Sequence, residues 1–191
     1  MSKISYEFEN PIDIVLSKIA HKIKPTFYSL NFNPNNITTI SVIFGVCSIY
    51  SLYKDQYVLS AIMLLLSYFF DILDGIYARS YDMVTKFGDY YDHVSDLALY
   101  AILIPMIIYK CKNKMKLLPF LIIFFISLYF SMLQLGCQEK IYNTDQSSTL
   151  VFLKKLCPNP PEKTIKCSRF LGCGTTILLL MMLIIISCKI N

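Results

Sequence analysis

Five apolar runs constrain this chain more than any other feature. They lie at about residues 37–53, 57–78, 90–109, 117–136 and 170–188, each close to the roughly 20 residues a helix needs to cross the hydrocarbon core of a bilayer. The chain is 55 % hydrophobic and only 16 % charged, whereas ordinary soluble domains carry roughly a quarter charged residues. A soluble domain of 191 residues could not hide that much apolar surface. The runs are bunched rather than periodic, which favours spans over an amphipathic globule. The expected fold is an all-α integral membrane protein, a bundle of five to six transmembrane helices.

An N-terminal interfacial amphipathic helix is expected ahead of the bundle. PIDIVLSKIAHKIKP (11–25) sets Ile12, Val15, Leu16, Ile19 and Ile23 at helical spacing, with Lys18, Lys22 and Lys24 elsewhere around the turn. The chain divides into an N-terminal arm, residues 1–36, and a transmembrane domain, residues 37–191. The N-terminus lacks the short apolar core and small-residue cleavage site of a signal peptide. Residues 138–168, with Pro158, Pro160 and Pro161, are too polar to span. Within them STLVFLKKL (148–156) could form a short interfacial helix. No internal repeat is present. Seven scattered cysteines without a C-x-x-C pair predict neither a zinc site nor a disulfide framework.

The net charge of +5 is concentrated beside the spans, which suits an anionic membrane face and not nucleic acid. Suppose the N-terminal arm, the 79–89 loop and the 138–169 loop share a side. They then hold 12 of the 18 Lys and Arg, namely residues 3, 18, 22, 24, 79, 86, 140, 154, 155, 163, 166 and 169. The positive-inside rule makes that side cytosolic, although Lys110, Lys112, Lys114 and Lys116 cluster on the other.

Acids stand at the rims of two of these spans, in DILDGIYARSYDMVTKFGDYYDHVSD (71–96). Asp71, Asp74 and Ala78 are spaced i, i+3, i+7, and Gly88, Asp92 and Asp96 are spaced by four, so each set shares one helix face. Two antiparallel helices joined by a short loop can bring the faces together. Four converging carboxylates would repel one another and suffer desolvation. Arg79 and Lys86 are the only nearby cations in the sequence. Divalent Mg²⁺ or Mn²⁺ would relieve the repulsion, since both prefer oxygen ligands and bridge carboxylates to substrate phosphates. Ionisable groups inside a membrane are functional by default, which weighs against a role as helix caps or snorkelling ion pairs.

The same residues resemble a known family. D-x-x-D-G-x-x-A-R-x8-G-x3-D-x3-D is the signature of the CDP-alcohol phosphotransferases, integral membrane enzymes of phospholipid synthesis. Here it reads Asp71, Asp74, Gly75, Ala78, Arg79, Gly88, Asp92 and Asp96, without departure in identity or spacing. NPNNITTIS (33–41) is similar to the P-N-x-x-T element that opens the family's first span. The resemblance implies two divalent cations held by Asp71, Asp74 and Asp92, with Asp96 as general base and possible fourth metal contact. It further implies that Gly75 and Ala78 lie against the cytidine, that Arg79 stabilises phosphate or bridges an acid, that Gly88 belongs to the substrate site, and that a homodimer forms. Asp89, outside the motif, is read as a helix-start acid near the positive dipole end.

The resemblance implies a CDP-alcohol donor, most readily CDP-diacylglycerol, and an acceptor alcohol. Inositol is favoured by the chain's size and by Lys166 and Arg169 ahead of the last run. Asp92-His93 is instead similar to the D-H of choline/ethanolamine phosphotransferases, which keeps a CDP-amino alcohol and diacylglycerol as the alternative. A membrane prenyltransferase would need a longer chain and lacks the D-G-x-x-A-R core. A transporter predicts acids at the bilayer midplane or broken helices.

Overall fold

The computed structural model describes residues 7–142 and 151–189, and these are helical with no strand among them. Helices α1 (Pro11–Ser29), α2 (Pro34–Tyr53), α3 (Tyr57–Ser80), α4 (Lys86–Lys110) and α5 (Lys114–Tyr142) follow in order. A 3-10 helix (Val151–Leu156), α6 (Pro161–Ser168), a 3-10 turn (Arg169–Leu171) and α7 (Cys173–Lys189) complete the chain. Five segments are long and apolar enough to cross a membrane: Pro34–Tyr53, Tyr57–Ser80, Lys86–Lys110, Lys114–Ile141 and Pro161–Ser187. The fold is an all-α membrane bundle, and its first span starts three residues earlier than the apolar run that predicts it. Of STLVFLKKL, residues 148–150 lie outside the described residues, as does Lys3; residues 151–156 form the 3-10 helix.

Local sequence explains the boundaries. Asn33 caps α2, its side chain accepting from the Asn36 N–H, and Pro34 fills the first helical position. Thr85 caps α4, Oγ1 accepting from the Gly88 N–H at 3.0 Å. Asn31, Asp55 and Asp82 take positive φ in the connections after α1, α2 and α3, the conformation that Asn and Asp tolerate best after Gly. The connection after α2 makes α2 and α3 closely packed antiparallel neighbours, while α4 packs on α2 and faces α3 across a cavity.

The α2–α3 seam is built from small polar residues. Ser41 Oγ donates to the Ser67 carbonyl at 2.8 Å and Ser67 Oγ to the Ser41 carbonyl at 2.9 Å. One level along, Ser48 Oγ reaches the Ser60 carbonyl at 2.8 Å. Small side chains let two spans approach closely where lipid supplies no hydrophobic drive. Helix α4 is held more lightly, burying only Leu99, Leu103 and Ile107. That stripe continues the 92, 96 spacing, so one face of α4 carries acid at its start and packing residues beyond. At the other end Lys110 Nζ lies 2.6 Å from Asp55, which neutralises part of the basic cluster on that side.

Helix α1 lies against the bundle along a narrow face of small residues. Asn10, Ser17 and Ala20 are fully or almost fully buried, while Val15 and Ile19 are 57 % and 45 % exposed. Lys18 and Lys22 are exposed as well, and Ile23 and Phe27 pack partly buried against the cluster of Ala20, Ile37 and Tyr77, so the outward side of the helix carries both Val15 and Ile19 and the lysines, as suits an arm at a lipid interface. Pro25 lies inside the helix.

The cysteine expectation is corrected. Cys137 on α5 and Cys157 after the 3-10 helix form a disulfide. Their separation of 20 residues carries no spacing signature, and the packing of the 3-10 helix Val151–Leu156 on α5 brings them together. Among the other described cysteines Cys47, Cys111, Cys167 and Cys173 are free.

Candidate active site

A cavity of about 990 Å³ opens at the α3–α4 end of the bundle, bounded by the N-terminal arm and by α2, α3, α4, α5 and α7. Asp71, Asp74, Asp92 and Asp96 all line it, as do Gly75, Ala78, Arg79 and Gly88. The residues singled out from the sequence are thus brought to one space. Asp71, Asp74 and Asp92 converge most closely, each offering a carboxylate oxygen within 4.8 Å of the other two. Asp96, one helical turn beyond Asp92, stands outside that trio. It also lines a second, smaller groove between α2 and α4 with Gly45, Leu99 and Ile102.

Each carboxylate is placed by its neighbours. Asp74 is 5 % exposed, and its Oδ2 accepts from Thr38 Oγ1 at 2.6 Å. Thr38 is the threonine of P-N-x-x-T, so the first span's opening element reaches across to hold a motif acid. The Arg79 guanidinium lies over Gly75, where a Cβ would come 3.1 Å from its nitrogen; this cation fills the space that Gly75 leaves. At Gly88 a Cβ would approach Asn35 Oδ1 at 3.1 Å, which ties the start of α4 to the start of α2. His93 Nδ1 is 2.7 Å from the Asp89 carbonyl and 3.7 Å from Asp92 Oδ2, at the rim of the trio.

The donor set of the trio is all oxygen and anionic, and a buried carboxylate is costly without compensating charge. This combination fits a hard divalent cation. Arg79 supplies the one guanidinium or ammonium among the described residues that line the cavity.

The arm contributes residues that the motif does not announce. Tyr68 donates to Asp13 Oδ1 at 2.8 Å, and Asn10 Nδ2 reaches the Arg169 carbonyl at 2.6 Å and Thr175 Oγ1 at 2.8 Å. Burial pushes the Asp13 carboxyl up to about 6, against the pull of Tyr68 and the Gly174 N–H. Burial and then neighbouring Asp13 push Glu9 up to about 7, while Arg79 and the Ser17 hydroxyl pull it down. Glu9, Asp13 and Ser17 recur every fourth residue, and that periodicity was the available signal for them. Tyr68, Tyr100, Gln134 and Thr176 also line the cavity from within apolar runs, where no pattern marks them. Lys166 and Arg169 do not line it. Lys166 Nζ pairs with Glu7 Oε1 at 2.7 Å, and Arg169 donates to the Glu7 carbonyl.

A family model described as CDP-alcohol phosphatidyltransferase matches residues 31–189. The chain belongs to the CDP-alcohol phosphatidyltransferase family. Among curated proteins, the archaetidylinositol phosphate synthase of Pyrococcus horikoshii is 35 % identical over 89 residues, 43 % of this chain and 47 % of that protein. The chain therefore spans about half the length of this curated relative. No solved structure matches it.

Proposed function

We propose that this member of the family is a metal-dependent transferase. It moves the phosphatidyl group of a CDP-alcohol, CDP-diacylglycerol first, to an acceptor alcohol, inositol first, and releases CMP. The observation that carries the reading is the Asp71–Asp74–Asp92 trio, with oxygens within 4.8 Å, in a cavity shared with Asp96 and Arg79. Asp71, Asp74 and Asp92, with Asp96 as a further contact, would hold two divalent cations, Mg²⁺ or Mn²⁺. When bound, these would offset the diphosphate charge and polarise its phosphorus.

The chain's own residues do the rest. Thr38 keeps Asp74 turned into the cavity. Arg79 meets diphosphate oxygens with a planar fork of donors. Ala78 and Gly75, the latter beneath the Arg79 guanidinium, lie against the cytidine, and Gly88 belongs to the substrate site. Asp96 accepts the acceptor's hydroxyl proton as that oxygen bonds to the phosphorus distal to cytidine. The bond from this phosphorus to the CMP oxygen breaks, and CMP leaves with the electron pair. Positioned proton transfer of this kind contributes roughly 10²–10⁴-fold. The basic arm and loops support a site at the cytosolic face by the positive-inside rule. A homodimer belongs to this proposal on resemblance.

One observation favours a second reading, transfer from a CDP-amino alcohol to diacylglycerol. His93 directly follows Asp92 and sits within 3.7 Å of its carboxylate, as the D-H of that branch would require. Both are tested by supplying purified protein with Mn²⁺ and either CDP-diacylglycerol plus an alcohol panel, or CDP-choline plus diacylglycerol. CMP release in the first mixture supports the first reading. Release only in the second supports the alternative, and none in either rejects both.

A further inference from the structure

The transferase reading assigns the diphosphate to Arg79 and leaves open what holds that guanidinium in place. We propose that Glu9, carried by the N-terminal arm, is the positioning residue for Arg79. Its carboxyl oxygen takes the Nε–H and fixes the plane in which the two terminal nitrogens meet the diphosphate. The inference rests on the reading above.

Two buried atoms of opposite character have no hydrogen-bond partner, the Arg79 Nε–H donor and the Glu9 Oε2 acceptor. Both residues line the cavity. A Cβ at Gly75 would come 3.1 and 3.2 Å from the terminal nitrogens of Arg79 and 3.5 Å from Cζ, so Nε faces away from Gly75. Each charge acts on the other. Arg79 favours the ionised form of Glu9, and Asp74 and Glu9 are the acids that act most strongly on the guanidinium. A buried donor and a buried acceptor are both costly when left unmet, and one bond between them removes both deficits.

The arm is tied down on either side of Glu9. The Glu7 carbonyl accepts from Arg169, and the Phe8 carbonyl accepts from Gln134 Nε2 at 3.2 Å. Asn10 Nδ2 donates to the Arg169 carbonyl and to Thr175 Oγ1. These bonds anchor the segment to α5, to the 3-10 turn and to the start of α7. Ser17, one of the two buried residues of α1, presents its hydroxyl to the Glu9 carboxyl.

The neighbouring acids are occupied. Asp74 Oδ2 accepts from Thr38, and Asp74 belongs to the trio. Asp13 is met by Tyr68 and by the Gly174 N–H. Glu9 is not among the acids whose oxygens converge within 4.8 Å, which separates it from the proposed metal ligands. A carboxyl on the Nε edge leaves the other edge of the planar fork for phosphate oxygens, and an arginine so fixed meets the diphosphate already oriented.

Arg79 and Arg169 are the two arginines of the chain. Protein labelled with ¹⁵N-arginine therefore gives two Nε–H resonances, and Arg169→Lys identifies the one from Arg79. Glu9→Met removes the acceptor and should move the Arg79 resonance and speed its exchange with water. Glu9→Gln leaves a weaker, neutral acceptor and should move it in the same direction by a smaller step. Mn²⁺-dependent binding of CDP-diacylglycerol is measured alongside. Glu9→Met should weaken it about tenfold, the equivalent of one hydrogen bond to a charged group. In an Arg79→Lys background Glu9→Met should have no further effect. An Arg79 resonance unchanged in both Glu9 variants overturns the inference. So does unchanged donor binding in Glu9→Met, or a loss of equal size with and without Arg79→Lys, which would make Glu9 a structural anchor of the arm. Absence of donor binding in the wild type overturns the transferase reading, while the resonance still decides whether Glu9 holds Arg79.

Discussion

Thr38 Oγ1 donates a 2.6 Å hydrogen bond to Asp74 Oδ2, so a residue at the start of α2 orients a carboxylate near the end of α3. The two lie 36 positions apart in the chain. The bond spans the same α2–α3 seam that Ser41–Ser67 and Ser48–Ser60 hold along its length. It connects the P-N-x-x-T element to the acid motif and gives both a common structural purpose.

Thr38→Val keeps the β-branched shape and removes the donor. A hydrogen bond to a charged group contributes about 1.5–3 kcal/mol. The expected outcome is a tenfold or larger rise in the Mn²⁺ concentration for half-maximal CMP release, with Thr38→Ser close to wild type. A metal titration of activity checks it, and an unchanged requirement would remove Thr38 from the site.

Asp71→Asn, Asp74→Asn and Asp92→Asn should each abolish turnover and weaken Mn²⁺-dependent CDP-lipid binding. EDTA should silence the wild type, with activity returning on addition of Mn²⁺ or Mg²⁺. Asp96→Asn should separate from these three. Its CMP release should fall roughly 10²–10⁴-fold with donor binding largely spared. Equal losses of donor binding across all four variants would argue that Asp96 is a metal ligand and not the base.

Gly174→Ala would loosen the arm. A Cβ there would come 2.3 Å from Asp13 Oδ1 and 2.9 Å from Asn10 Oδ1, a contact that neither group can relieve without breaking its own hydrogen bonds. Overpacking of this kind typically costs about 1–3 kcal/mol. The measurement is hydrogen exchange of α1 amides, which should speed up while those of α3 stay protected.

Arm docking should also depend on pH. Asp13 is raised from 3.8 to about 6 and Glu9 from 4.5 to about 7, chiefly by burial. Across these windows the docked arm holds protons that an undocked arm releases, so docking is strongest at low pH and weakens as pH rises to about 7. Spin labels on the exposed faces of α1 and α7 should give one narrow distance at acidic pH and a broader distribution above pH 7. The opposite trend would show that the two carboxylates are docked as anions.

Much of this was legible in residue order. The five spans follow from apolar run length, because a bilayer requires each crossing helix to satisfy its own backbone. The DILDGIYAR and GDYYDHVSD spacings fixed which acids share a face, because a helix repeats every 3.6 residues. The short 81–85 connection lets the two faces look at each other across the cavity.

Other features depend on contacts between segments remote in the chain, and no local period encodes those. The Lys166–Glu7 pair turned a basic cluster beside the last span away from the cavity. Cys137 met Cys157 because the 3-10 helix Val151–Leu156 packs on α5. The Ile/Lys spacing of α1 marked an interfacial helix, and packing against α3 and α7 decided that Ser17 and Ala20 are the residues it buries. Gln134 and Tyr68 are single polar residues in apolar runs, and only the assembled bundle makes them part of a wall. Residue order was enough to mark the membrane class and the four carboxylates, since length and spacing act within one helix. Tertiary structure alone decided what stands opposite them, since opposing a charge requires a second segment.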